Sequence, residues 1–178
     1  MTSLLNKIFS FSKNLDHKSS SFYVLNLGKS TSLLFSSIED YSETSEIRYV
    51  GGCVRKILNN EIIDDIDFAV NLRPNECIEA LKNHNIKYYE TGIEHGTITA
   101  IIKNNKFEIT SLRKDISTDG RHAKVEFSNN WFEDASRRDF TINSIYADIN
   151  GNLYDPFNGK RDLELGKVEF IGDIEKRI

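Results

Sequence analysis

Asp65 and Asp67 flank Ile66 at the head of an apolar run, Ile66 to Val70. On an extended strand, residues i and i+2 point to the same face, so this spacing predicts two carboxylates aimed side by side. Like charges at neighbouring, partly buried positions repel, and a cation between them relieves the repulsion. Most isolated Asp-x-Asp pairs are solvated turn residues; the preceding residues set this one apart. Tyr49-Val-Gly-Gly-Cys-Val-Arg55 reads as the end of a strand, a two-glycine turn and a short helix from Cys53 to Leu58. Gly51 and Gly52 place unhindered backbone N–H groups at a helix start, an arrangement that holds anions. A phosphate cradle beside paired carboxylates implies a triphosphate with magnesium.

Three further groups could join this chemistry. Glu108 sits between Phe107 and Ile109, so on a strand it points away from their apolar face. It is either an ordinary exposed glutamate or a third carboxylate of a two-metal site. Arg55 lies one turn into the helix and could grip a phosphate bidentately, although a surface helix arginine looks the same in sequence. Arg137-Arg138-Asp139 closes a predicted helix just before Thr141 and Asn143, where cations also complement the helix dipole. From Arg113 to Lys124 the chain turns polar and mostly basic. Arg113, Arg121, His122 and Lys124 make this segment, read as a mobile loop, the best candidate contact for RNA or phosphate.

The elements that must position these groups follow from periodicity. The spacing predicts a strand at Phe22 to Leu27. A helix over Ser30 to Tyr41 follows, capped by Ser30 or Thr31, with Leu33, Leu34 and Ile38 as its apolar face. Strands are expected at Ile47 to Val50 and Ile66 to Val70. A helix opening at Arg73-Pro-Asn-Glu has Cys77, Ile78 and Leu81 as its stripe. Lys87 to Glu90, Thr97 to Ile102 and Phe107 to Leu112 read as strands, the last two a hairpin across Lys103-Asn-Asn-Lys106. Then come a short strand Val125 to Phe127, a helix from an Asn129 cap through Arg138, and a helix or helix–strand segment Thr141 to Ile149. A turn Asp155 to Gly159, a helix Lys160 to Leu165, a strand Lys167 to Ile171 and a helix opening at Asp173 complete the chain. Strands and helices mix without strict alternation. The fold class is therefore α/β-type, formally α+β, on a mixed and mostly antiparallel sheet flanked by helices.

Composition narrows the setting. The 178 residues suit one domain, and 11% aromatic content supports a core. A formal charge of −4 excludes a net basic field as the grip on nucleic acid. Cys53 and Cys77 have neither metal-ligand spacing nor a disulfide framework, which points to a reduced, cytoplasmic-type compartment. No apolar run reaches transmembrane length.

Taken together, seven ordered segments resemble the catalytic head of the class II tRNA nucleotidyltransferase and bacterial poly(A) polymerase family, within the polymerase-β-like nucleotidyltransferases. They are Val50-Gly-Gly-Cys-Val-Arg55, Asp65-Ile-Asp-Phe68, Glu94-His-Gly-Thr97, Phe107-Glu-Ile-Thr-Ser-Leu-Arg113, Asp119-Gly-Arg-His122, Arg137-Arg-Asp-Phe-Thr-Ile-Asn-Ser144 and Asp155-Pro-Phe-Asn-Gly159. The resemblance implies a head over residues 29–172, an extension over 1–28 and the start of a neck helix over 173–178. It implies Asp65 and Asp67 as Mg2+ ligands with Glu108 as third carboxylate. It also implies Gly51, Gly52, Arg55, Arg138, Asp139 and Asn143 as nucleotide contacts.

The implied reaction is attack of an RNA 3′-hydroxyl on the α-phosphate of ATP or CTP, as CCA or poly(A) addition. Base-selecting neck and RNA-holding body and tail parts would come from a second polypeptide or from the rest of a longer protein; a homo-oligomer is the other expected partner, and no membrane is involved. The alternative is a non-catalytic nucleotide- or RNA-binding remnant. One departure stands out: the family usually has aspartate after the motif arginine, whereas this chain has Lys56.

Overall fold

The computed structural model describes residues 29–119 and 122–173. The strand expected at Phe22 to Leu27, Arg121, and the helix expected beyond Asp173 lie outside the described residues. Among the described residues, helix α1 (Lys29–Glu39) leads into β1 (Ile47–Val50), α2 (Gly52–Leu58), β2 (Asp67–Val70) and α3 (Pro74–Asn83). Strands β3 (Lys87–Gly92), β4 (Thr97–Ile102) and β5 (Asn105–Ser111) follow. After them come β6 (Arg113–Asp119), β7 (His122–Phe127), α4 (Trp131–Ser136), β8 (Tyr146–Ala147), β9 (Leu153–Tyr154) and α5 (Gly159–Glu164). Seven strands form one sheet in the order β3-β4-β5-β2-β1-β8-β9, and β6 pairs with β7 in a separate ribbon. Among the described residues of the large sheet, only β2 and β5 run parallel. This is the mixed, mostly antiparallel α+β architecture that the patterning predicts.

The parallel pair is possible because α3, β3 and β4 carry the chain away from β2 and back. Helix α3 starts cleanly: Pro74 occupies its first turn, and the Arg73 backbone N–H donates to Glu76 Oε2 at 2.7 Å. Its stripe Cys77, Ile78 and Leu81 is buried as expected, together with Ala80. Helix α1 departs from expectation: Leu33 is 40% exposed and Phe35 takes its place on the buried face, while Ser30 and Thr31 lie inside the helix. Phe35 packs at 5.2 Å from Tyr49, Tyr49 at 5.0 Å from Phe68, and Phe68 at 5.7 Å from Phe107. This aromatic chain joins α1 to the centre of β1, β2 and β5, and makes one sheet face the main core.

The opposite face is only half covered. Val50, Ala69 and Tyr146 pack there beneath Ala135 and Trp131 of α4, and Arg48 stacks 4.2 Å from the Trp131 ring. Asn130, one residue past the expected cap, holds α4 by accepting from the Phe132 N–H at 2.9 Å. The residues of this face beyond α4, on β2, β5, β4 and β3, are those that matter below.

Two further expectations give way. Arg113 to Lys124 is not a loop but most of the β6–β7 hairpin, because Arg113 pairs with Phe127 and the chain doubles back on itself. Lys167 to Ile171 makes only an isolated bridge between Phe140 and Phe170, with Val168 63% exposed. The Thr141 to Ile149 segment takes the helix–strand form of the two expected, a 3-10 turn, Thr141–Asn143, followed by β8.

Candidate active site

Strand β2 begins at Asp67, one residue later than the sequence suggests, so Asp65 stands in the irregular segment before it and not on the strand. The partner of Asp67 is therefore Glu108. The two residues occupy directly opposed positions on parallel β2 and β5. Phe107 and Ile109 are buried in the core while Glu108 points to the open face, as its apolar neighbours predict. Desolvation by the surrounding protein raises the Asp67 pKa, and the negative charges of Glu108 and Asp65 push the same way. Arg138 opposes them only in part.

That uncompensated negative centre is the kind of donor set a divalent cation neutralises. Among the described residues, however, no three His, Cys, Asp or Glu side chains stand together closely enough to hold a metal ion. Asp65, Asp67 and Glu108 line one open groove.

Asp67 and Glu108 border a cleft of about 490 Å³ whose other wall is cationic and polar: Arg55, Arg113, Arg137, Arg138 and Asn143, with Gly51 and Gly52 at one end. Each cation has a visible support. Asp134 on α4 is 1% exposed and binds Arg137 Nη2 at 2.8 Å and Arg138 Nη2 at 3.1 Å. The Tyr146 hydroxyl donates to Asp134 Oδ2 at 2.7 Å and accepts from Arg138 Nε at 3.0 Å. Burial alone would raise the Asp134 pKa, but Arg138, Arg137 and the Tyr146 hydroxyl outweigh it and hold the carboxyl below its ordinary range. The arginines are thus fixed from behind by one buried anion.

Arg55 donates to the Asn143 side chain, and Asn143 is carried by the 3-10 turn packed on α5. There Thr141 Oγ1 donates to Asp162 at 2.7 Å, and Asp155 caps the first N–H groups of α5 at 2.8 and 2.9 Å. This explains why the Asp155-Pro-Phe-Asn-Gly159 turn belongs to the site at all. A Cβ on Gly159 would meet the Thr141 carbonyl oxygen at 2.0 Å, so only glycine lets the turn and helix close up. Gly51 has φ +72, a conformation that L side chains avoid, with Arg138 Nη1 3.7 Å from where a Cβ would stand. Above Gly52 there is open space. Lys56, which replaces the family aspartate, turns away to pair with Asp64, and Asn143 supplies the partner that Arg55 uses.

The structure brings Gly51, Gly52, Arg55, Asp67, Glu108, Arg138 and Asn143 into one cleft, and places Asp65 beside Asp67 and Glu108 in an adjoining groove. Asp139 is exposed, and its carbonyl accepts from the Ile171 N–H at 2.9 Å. Arg113, read as an outward RNA contact, instead sits at the foot of β6 in the arginine cleft and donates to the His95 carbonyl. Arg121 lies outside the described residues, and of His122 and Lys124 only the β7 backbone is described. Sequence reasoning missed Asp134 and Tyr146. The available signal was the i,i+3 and i,i+4 spacing of Asp134 to Arg137 and Arg138.

Comparison with known proteins identifies the family and its fold. The human protein "CCA tRNA nucleotidyltransferase 1, mitochondrial" is 47% identical over 137 residues, covering 76% of this chain and 32% of that one. The CCA-adding enzyme of Lactobacillus johnsonii is 39% identical over 134 residues, covering 74% and 33%. A crystal structure of the Bacillus stearothermophilus CCA-adding enzyme in complex with CTP superposes with a TM-score of 0.70 at 28% identity, covering 81% of this chain and 33% of that one. A tRNA nucleotidyltransferase complexed with a primer tRNA and an incoming ATP analogue gives a TM-score of 0.53 at 31% identity, covering 68% and 34%. The chain spans about a third of the length of the curated relatives it matches. The family model "Poly A polymerase head domain" matches residues 47–169, and the chain belongs to that family.

Proposed function

We propose that this chain is the catalytic head of a nucleotidyltransferase that adds nucleotides from CTP and ATP to the 3′ end of tRNA. One observation carries this reading: the Asp67–Glu108 pair opens directly onto a cleft walled by four arginines. The chemistry requires such a juxtaposition. The 3′-oxygen of the RNA bonds to the α-phosphorus as the bond to pyrophosphate breaks, and the negative charge must be met at both ends. Arg55, Arg113, Arg137 and Arg138, which line this cleft, would bind the triphosphate and stabilise the departing pyrophosphate. Their fixed supports, Asp134, Tyr146 and Asn143, spare them reorganisation during the reaction. The glycine turn leaves room for phosphate oxygens to approach backbone above Gly52. Asp65, Asp67 and Glu108 would hold Mg2+, which supplies hydroxyl activation and charge neutralisation.

The named relatives favour CCA addition over poly(A) addition. Base choice and most of the grip on RNA are assigned to parts outside these 178 residues, in keeping with the −4 charge. Both cysteines are free and buried, which suits a reducing compartment such as the cytoplasm. Among the described residues, no helix is long and apolar enough to cross a membrane.

The test is incorporation of labelled CTP and ATP, with Mg2+, into tRNA transcripts that end before CCA. It compares the wild type with the Asp65→Ala, Asp67→Ala double variant. Incorporation abolished in a folded double variant is expected. Equal incorporation would remove both aspartates from the reaction, and nucleotide binding without incorporation by wild type would favour a non-catalytic module.

A further inference from the structure

The Asp67–Glu108 pair has a second side. Opposite the arginine cleft it borders a groove of about 560 Å³ that also contains Tyr89, Thr99, Ile101 and Lys106. The strand registers explain how these residues meet. Tyr89 pairs with Thr99, Thr99 with Glu108, and Glu108 with Asp67, so one row crosses β3, β4, β5 and β2 on a single face. In the next row Lys87 pairs with Ile101 and Ile101 with Lys106. At the usual strand spacing, Tyr89 stands roughly 10 Å from Glu108 along this row.

Two features are unexpected for a plain sheet surface. Tyr89 is 49% exposed although its face lies next to the half that α4 covers. Lys87 Nζ lies 5.2 Å from its ring centroid. A lysine on an edge strand such as β3 protects the edge from pairing, which accounts for Lys87. It does not account for Lys106, which is exposed on β5, an interior strand. An exposed aromatic ring beside one cation, with a second cation in the adjoining row and a carboxylate pair at the row's far end, is the surface that single-stranded nucleic acid uses: bases stack on the ring and phosphates meet the lysines.

We propose that this groove docks the terminal nucleotide of the RNA acceptor, its base on Tyr89 and its phosphate at Lys106, so that its 3′-hydroxyl faces Asp67 and Glu108. The proposal rests on the nucleotide-transfer reading above. It follows from in-line displacement, in which nucleophile and leaving group lie at opposite ends of the reacting phosphorus. With the arginine cleft collecting the leaving phosphates, the acceptor must approach from the other side of the shared carboxylates. A nucleobase on Tyr89 could in principle belong either to the acceptor or to the incoming nucleotide, and the kinetic arms separate the two.

The experiment measures KM for a tRNA transcript ending before CCA, and separately for CTP, in Tyr89→Ala, Tyr89→Phe and Lys106→Ala chains of unchanged Tm. Tyr89→Ala should raise KM for RNA about tenfold, the scale of one lost base stack, with KM for CTP within about twofold. Tyr89→Phe should restore the wild-type value. Lys106→Ala should weaken RNA binding and flatten its dependence on salt concentration. A rise confined to KM for CTP would give the groove to the incoming base and overturn the proposal, as would unchanged values for both. Fluorescence anisotropy with the same transcript, without nucleotide or metal, keeps the question separate from catalysis. If wild type incorporates nothing, equal RNA affinity of wild type and the Tyr89→Ala, Lys106→Ala double variant overturns the groove. A loss of about tenfold upholds it as an RNA site.

Discussion

Replacing Glu108 by glutamine should stabilise the chain while disabling transfer. Glu108 and Asp67 are register partners on adjacent strands. After desolvation, the charge of Glu108 is the largest influence raising the Asp67 pKa. Directly opposed like charges on neighbouring strands cost about 0.2–1 kcal/mol. Both residues are solvent-exposed, so screening favours the middle of that range, about 0.5 kcal/mol. For a domain of this size, 1 kcal/mol moves Tm by roughly 2–4 °C, so Glu108→Gln should melt about 1–2 °C higher at pH 7 without divalent ions.

The pH dependence has a definite sign. The folded pKa of Asp67 lies above its ordinary value of 3.8. The stability associated with its protonated form is therefore fully present below that value and lost as pH rises through the raised folded pKa. Glutamine at 108 relaxes that shift, so the advantage of the variant should be largest near neutrality and vanish below about pH 4. Scanning calorimetry of both chains between pH 4 and 7.5 measures this directly. A lower Tm for Glu108→Gln at pH 7 would refute the reasoning, because it would mean that Glu108 makes a stabilising contact instead of facing a like charge.

Other outcomes follow from the supports of the cleft. Asp134→Asn leaves Arg137 and Arg138 without their buried anion and should cost about 3–5 kcal/mol, read from urea unfolding. Because the folded pKa of Asp134 is depressed, its contribution in the wild type is present above the ordinary value of 3.8 and lost as pH falls through the lower folded pKa. Gly159→Ala places a methyl against the Thr141 carbonyl and should cost about 3 kcal/mol, with Arg55 released as Asn143 shifts; a Tm within 2 °C of wild type, on the scale above, would contradict that packing. Burial pushes the Cys77 thiol up to about 12, so iodoacetamide at pH 8 should leave Cys77 unmodified until the chain is unfolded. Rapid labelling of the folded protein would show that α3 opens readily.

Much of the site was legible because its parts are local. The double glycine breaks a strand, and the apolar flanks of Glu108 fix which way it points. Pro74 and Glu76 mark a helix start. What stayed hidden depends on pairing between distant segments. Nothing near Asp67 says that the carboxylate beside it is Glu108, since that follows from β2 and β5 pairing directly in parallel although β3 and β4 separate them in the sequence. Arg113 to Lys124 reads as a loop because its polarity masks a hairpin held by backbone pairing. Asp134 looks like an acidic residue placed for the helix dipole. Only its burial beneath Tyr146 and two arginines shows it to be the anchor of the cleft.

The central claim is that Asp67 and Glu108 act as one unit on the nucleotide held by the arginine cleft. The most direct test is the single-turnover rate of CTP addition to tRNA ending before CCA, measured for Asp67→Asn, Glu108→Gln and the double variant. The geometry predicts that each single change lowers the rate by about a thousandfold or more. The double change should be no worse than the more severe single one, because groups that act as a unit lose their function together. A rate within tenfold of wild type for either variant, or losses that multiply in the double, would contradict the account.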